Sequence, residues 1–134
     1  MALRCLIVDD NPGFLHAARA LLEEEGVRVV GVASTGAEAV RGAAELHPDV
    51  MLLDVDLGVD NGFDLARRLV DEPGIDAGRL ILISTYCEDE FLGLIEASPA
   101  IGFLSKSALS VRAIERLLLA SAGRGDGQDE TPKH

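Results

Sequence analysis

A chain of 134 residues, 48% hydrophobic and 26% charged, has the length and composition of one globular domain with a single core. Twelve Lys and Arg against 23 Asp and Glu leave a net charge of −11, which repels nucleic acid and anionic membranes and excludes DNA binding by this stretch itself. No segment approaches the roughly 20 apolar residues of a membrane span, and "MALRCLIVDD" meets two aspartates too early for a signal peptide. Cys5 and Cys87 read as free thiols, and the whole composition suits the cytoplasm.

Leu3 to Val8 is a short apolar run that ends on Asp9 and Asp10, the pattern of a buried strand followed by a turn. Asn11 and Pro12 supply a helix cap and first turn, and Phe14, Ala18, Leu21 and Leu22 share one face of a helix closing near Gly26. Val27 to Ala33 reads as a second strand, with a helix from Ala37 to Leu46. Val50 to Leu53 is the third strand, followed by a helix from Gly62 to Val70. Leu80 to Ser84 is the fourth, with a helix near Glu88 to Glu96, and Ile101 to Leu104 the fifth, with a helix from Leu109 to Ala120.

Five strand–helix units with near-continuous apolar strands predict an α/β fold: a parallel sheet covered by helices on both faces. The last fourteen residues, "SAGRGDGQDETPKH", lack periodicity. We read residues 1–120 as one domain and 121–134 as a disordered tail or the start of an interdomain linker.

In an open parallel sheet, ligands bind beyond the carboxyl ends of the strands. The polar residues there are Asp9 and Asp10, Asp54 and Asp56, Ser84 and Thr85, and Lys106. Oxygen donors with one lysine suit a hard divalent cation such as Mg²⁺ rather than zinc. His16 and His47 lie on predicted helices without metal-ligand spacing and read as surface or packing residues. Crowded carboxylates raise one another's pKa, and a cation relieves the crowding. One of them, ionised, can then attack an electrophile such as a phosphoryl group while hydroxyl and ammonium groups steady its oxygens. Asp54, at the end of the central strand, is the choice for that role.

Asp9 and Asp10 after strand one, Asp54 after strand three with Gly62 eight positions on, Ser84 after strand four, and "GFLSKS" with Lys106 after strand five resemble the receiver domain of bacterial two-component response regulators. The resemblance runs from about Leu3 to Ala120. It implies a flavodoxin-like (βα)5 fold with strand order 2-1-3-4-5, and a phosphoryl group accepted on Asp54 from a sensor histidine kinase. It implies Mg²⁺ (or Mn²⁺) bound by Asp10, Asp54 and the backbone carbonyl of Asp56, with Asp9 acting through the metal's water shell. Ser84 would hydrogen-bond the phosphoryl group, Lys106 would ion-pair with it, and Phe103 would be the switch aromatic, rotating as Ser84 moves. It further implies no turnover of a separate substrate, possible homodimerisation on phosphorylation, and an output that is commonly transcription. "KS" before a helix resembles receivers that precede a helix-turn-helix DNA-binding module.

Three positions depart from the family pattern. Gly58 stands where Pro is usual four residues after the acceptor, so the loop "DLGVDNG" is expected to be loose. Ser107 follows the lysine where many receivers carry a cis proline; a cis bond before another residue costs about 2.5–4 kcal/mol. Asp56 adds a carboxylate beside the acceptor. Two rival readings share parts of the pattern. One is a receiver acting as an interaction module without phosphorylation. The other is a haloacid-dehalogenase-like phosphohydrolase, in which Asp54 is the nucleophile and Asp56 the general acid. In that family, however, the nucleophile lies on the chain's first strand.

Overall fold

The computed structural model describes residues 3–58, 60–72, 79–86 and 88–130, with side chains left aside at 60, 88, 89 and 122–130. Five strands, β1 (Arg4–Val8), β2 (Arg28–Ala33), β3 (Val50–Asp54), β6 (Arg79–Ser84) and β7 (Gly102–Ser105), form one parallel sheet in the order β2-β1-β3-β6-β7. Counted by these five strands alone, that is the expected 2-1-3-4-5. A two-stranded antiparallel ribbon, β4 (Asp56–Leu57) with β5 (Asp60–Asn61), stands beside it.

The apolar runs hide an alternation that the fold makes explicit. Successive side chains of a strand point to opposite faces. Leu6, Val8, Met51, Leu53, Leu80 and Leu82 therefore share one core with α2 (Gly36–Leu46) and α3 (Gly62–Asp71). Cys5, Ile7, Val50, Leu52, Ile81 and Ile83 share the other with α1 (Pro12–Glu24) and α5 (Val111–Glu130). Burial pushes the Cys5 thiol up to about 12, and the residue is a free cysteine inside the second core. Cys87, the other expected free thiol, lies outside the described residues.

Local chemistry sets the helix starts. Asn11 Oδ1 accepts from the N–H groups of Gly13 and Phe14, Thr35 Oγ1 from Glu38, and Asn61 Oδ1 from Phe63 and Asp64. Glu38 reaches back to the Ser34 N–H at 2.8 Å, closing a reciprocal cap, and hydrogen bonds from Ser34 hold its carboxyl below the usual range.

The structure differs from expectation or adds to it in three places. After Asp54, in the loop expected to be loose, the described residues pair as the β4–β5 ribbon. Gly58 takes φ +74, a conformation proline cannot adopt, and its N–H donates to the Asp56 carboxylate at 3.2 Å. The fourth helix is divided into a 3-10 turn, Glu88–Phe91, and a short α4, Leu92–Ala97, because no side chain caps it and none of its residues is buried. The fifth helix continues past the expected end at Ala120, through three glycines that each weaken a helix by about 1 kcal/mol relative to Ala. Leu118 is the last of its described side chains packed against the core.

Candidate functional site

The carboxyl ends of β1, β3, β6 and β7 deliver Asp9, Asp54, Ser84 and Lys106 to one edge of the sheet. Register does this: Val8 lies beside Leu53, Asp54 beside Ile83, and Ser84 beside Ser105, so each strand's last residues arrive level with its neighbour's. Asp9, Asp54 and Ser84 are the only polar or charged residues among the described ones that are buried. Burying three such groups at one strand edge costs folding energy unless they are partnered, which marks the place as functional.

The partners are few and specific. Asp54 Oδ1 accepts from the Asp56 N–H at 3.1 Å, and Oδ2 from the Lys106 ammonium at 3.2 Å. The same ammonium lies 2.5 Å from Asp9 Oδ2, whose other oxygen accepts from the Asn11 N–H at 2.8 Å. The ion pair with Asp9 is short but poorly angled, so Asp9 Oδ2 is buried without a proper hydrogen bond. Ser84 Oγ accepts from the Tyr86 N–H at 3.0 Å.

Burial, foremost, pushes the Asp54 carboxyl up to about 6. The Asp56 N–H opposes the shift, the Asp9 charge adds to it, and Lys106 opposes it. For Lys106, burial alone would lower the pKa, but the hydrogen bond and charge of Asp9 and Asp54 reverse that and raise it.

Asp10 is exposed at the rim, and one carboxylate oxygen each from Asp9, Asp10 and Asp54 lie within 4.8 Å of one another. Three carboxylates face one ammonium, all the candidate ligand atoms are oxygens, and Asp9 Oδ2 has only that poorly angled ammonium beside it: the set fits a hard divalent cation. Asp56 belongs to the same edge but turns its exposed carboxylate toward Gly58. Gly62 packs directly under the acceptor strand, where a Cβ would fall 2.2 Å from the Asp54 backbone oxygen. Phe103 is buried in the adjoining core, its ring 6.1 Å from that of Phe91.

Four residues that sequence reasoning did not single out for the site are here. Tyr86 and Phe91 join Phe63 in an aromatic wall, with centroid separations of 6.3 and 5.8 Å, along a cleft of about 480 Å³ that Asp56 and Asn61 also line. Phe14, read only as a packing residue of the first helix, has the Lys106 ammonium 4.5 Å from its ring centre. Nothing in the local sequence signals these contacts, which join separate strand–helix units. Thr85, His16 and His47 make no contact with the acidic cluster that the structure records.

Comparison with known proteins places this geometry. Residues 5–118 match the family described as the response regulator receiver domain. Response regulator GacA of Pseudomonas viridiflava is 31% identical over 124 residues, covering 91% of this chain and 56% of that protein. The transcriptional regulatory protein LiaR of Bacillus subtilis is 27% identical over 122 residues, covering 90% and 57%. The chain thus spans about half the length of these relatives. Among solved structures, a LuxR-family two-component response regulator from Aurantimonas sp. SI85-9A1 superposes with a TM-score of 0.79 at 29% identity, covering 90% of this chain and 87% of that one. The signal receiver domain of the response regulator NarL from Mycobacterium tuberculosis gives 0.76 at 28% identity, covering 91% and 98%.

Proposed function

Because the chain belongs to the response regulator receiver domain family of two-component systems, we propose that it accepts a phosphoryl group on Asp54 from a phosphohistidine of a sensor histidine kinase. The observation that carries this reading is the placement of Asp54. It ends the central strand, with one oxygen held by the Asp56 N–H and the other by Lys106, and with Asp9 and Asp10 within cation-sharing distance.

In the transfer, an ionised Asp54 oxygen attacks phosphorus, the bond from phosphorus to the donor nitrogen breaks, and the electron pair leaves with the imidazole, which takes up a proton. Lys106 sits where a phosphoryl oxygen on Asp54 would come, and an ammonium there offsets the added charge. Ser84 reaches the phosphoryl group by giving up the Tyr86 N–H. Asp10, Asp54 and the Asp56 carbonyl, with Asp9 acting through water, would hold Mg²⁺ (or Mn²⁺), which would supply further neutralisation of the phosphoryl oxygens. A shift of Ser84 would open the space into which Phe103 turns, changing the surface formed by α4, β7 and α5.

Residues 121–134 act in this reading as a linker to an effector segment, and the output is transcription, in keeping with the name of LiaR, a transcriptional regulatory protein, and with the greater length of both relatives. The site works in the cytoplasm, homodimerises on phosphorylation, and turns over no separate substrate. A helix long and apolar enough to cross a membrane is absent among the described residues.

The test is intact mass after incubation with Mg²⁺ and a small acyl phosphate. One added phosphoryl group on the wild type and none on Asp54→Ala is the expected result. No addition on a folded wild type would favour the phosphorylation-independent module, and sustained hydrolysis of phosphate monoesters would favour the phosphohydrolase. Asp56→Asn is expected to change the rate of phosphoryl gain or loss several-fold at saturating Mg²⁺. Unchanged rates in both directions would remove Asp56 from the chemistry.

A further inference from the structure

The Lys106 ammonium has three N–H groups. Asp9 Oδ2 and Asp54 Oδ2 take two sides of it, at 2.5 and 3.2 Å, and the ring of Phe14 stands on another, 4.5 Å from its centre. A cation over an aromatic face at that distance is attracted by the ring's electron-rich centre, and more strongly as water is excluded. The Lys106 side chain is only 13% exposed.

Phe14 is not there by accident of packing alone. The Asn11 side chain that caps α1 accepts from the Phe14 N–H at 3.2 Å, and the Asn11 N–H donates to Asp9 Oδ1 at 2.8 Å. One short turn therefore fixes both the carboxylate and the ring that hold the lysine. Phe14 itself packs, partly buried, against the core shared by α1 and α5.

We propose that Phe14 is a positioning residue for phosphoryl transfer: its ring holds the Lys106 ammonium against Asp54 while offering no oxygen that would compete for its protons. The inference rests on the Asp54 acceptor reading above. A ring face has little directional preference compared with a carboxylate or carbonyl. Lys106 can therefore exchange its Asp9 contact for a phosphoryl oxygen without first breaking a hydrogen bond on the Phe14 side. A carbonyl or water in the same place would have to be stripped away during the transfer. A leucine there would exclude water but exert no pull on the cation.

The experiment measures the rate of Asp54 phosphorylation by a small acyl phosphate at saturating Mg²⁺ in the full chain, with urea stability measured on the same samples. Phe14→Leu is expected to slow the rate about 3- to 30-fold, the range of cation–ring attractions, and Phe14→Tyr to restore it to within about two-fold. Phe14→Met gives the same comparison if the leucine variant does not fold. Because Phe14 acts through Lys106, Phe14→Leu is expected to have no effect in a Lys106→Ala background, whereas a general packing defect would slow both backgrounds alike. A wild-type rate in Phe14→Leu, or the same loss with and without Lys106, overturns the role of Phe14 and leaves the acceptor reading intact. No phosphorylation of the wild type overturns the acceptor reading and this inference with it.

Discussion

In β3 all five residues are buried, whereas in β7 only Phe103 is. The helices differ in the same sense. α3, which follows the acceptor strand, is capped by Asn61 and buries five residues, while α4 has no cap and buries none. Leu92 and Leu94 of α4 are about half exposed, as is Tyr86 beside it. The acceptor strand is thus buried on both faces, whereas the half that follows β6 is well covered only on its α5 side, by Leu104, Ile114 and Leu117, and on the other face has Phe91, Ile95, Ala100 and Phe103. Elements that must move are drawn from the weakly held end of a structure, because a small free energy then suffices to shift them. The contrast teaches where a phosphoryl signal would be read: at α4 and β7, not at β1 or β3.

Gly62→Ala tests the acceptor half at its tightest point and carries the largest expected effect. Its Cβ would meet the Asp54 backbone oxygen at 2.2 Å and Val55 Cα at 2.6 Å. Neither is the end of a flexible side chain. A loss of about 3–5 kcal/mol in urea unfolding is expected; a loss below about 1 kcal/mol would mean that β3 and α3 can part without cost.

Asp54→Asn follows, and its effect depends on pH. Folding raises the Asp54 pKa from 3.8 to about 6, so the folded protein binds this proton more tightly than the unfolded chain. Ionisation between about pH 4 and 6 therefore lowers wild-type stability as pH rises, and the asparagine variant escapes that loss. In metal-free buffer the variant is expected to gain on the wild type by about 1–2 kcal/mol at pH 7, solvent screening reducing the full effect of the shift, and by much less at pH 4. Mg²⁺ is expected to narrow the gap by stabilising the ionised wild type alone. A gap that is the same at both pH values would contradict the burial of this carboxyl.

The smallest effect belongs to the other half. Leu94→Ala on α4 is expected to change stability by less than about 0.5 kcal/mol, since the side chain is half exposed. Amides of α4 are expected to exchange with solvent far faster than those of β1 and β3. Equal protection in the two halves would erase the comparison.

Sequence alone located the five strand–helix units because their signals are local. Apolar runs of strand length and Asn11 with Pro12 each act within a few residues. It also indicated that Asp9, Asp54, Ser84 and Lys106 share one edge, since a parallel sheet aligns the carboxyl ends of its strands. Periodicity could not reveal the β4–β5 ribbon, because a two-residue strand has no period and the turn depends on the positive φ of Gly58. Nor could it show α4 to be so short: Leu92, Leu94 and Ile95 suit a helix, but the absence of a cap and of a buried face appears only once the neighbours are in place.

What the sequence by itself determined, then, is the order of elements and the chemical identity of the groups at the strand ends. Only the tertiary structure decided how those groups meet. It set Lys106 between Asp9 and Asp54, turned the Asp56 carboxylate away to Gly58, and laid Phe14 against the lysine. The physical reason is that the Asp56 turn depends on the positive φ of Gly58, and the contacts of Lys106 join residues far apart in the chain. Their distances follow from how two helix layers pack on the sheet and from the register of its strands, and no local pattern carries either.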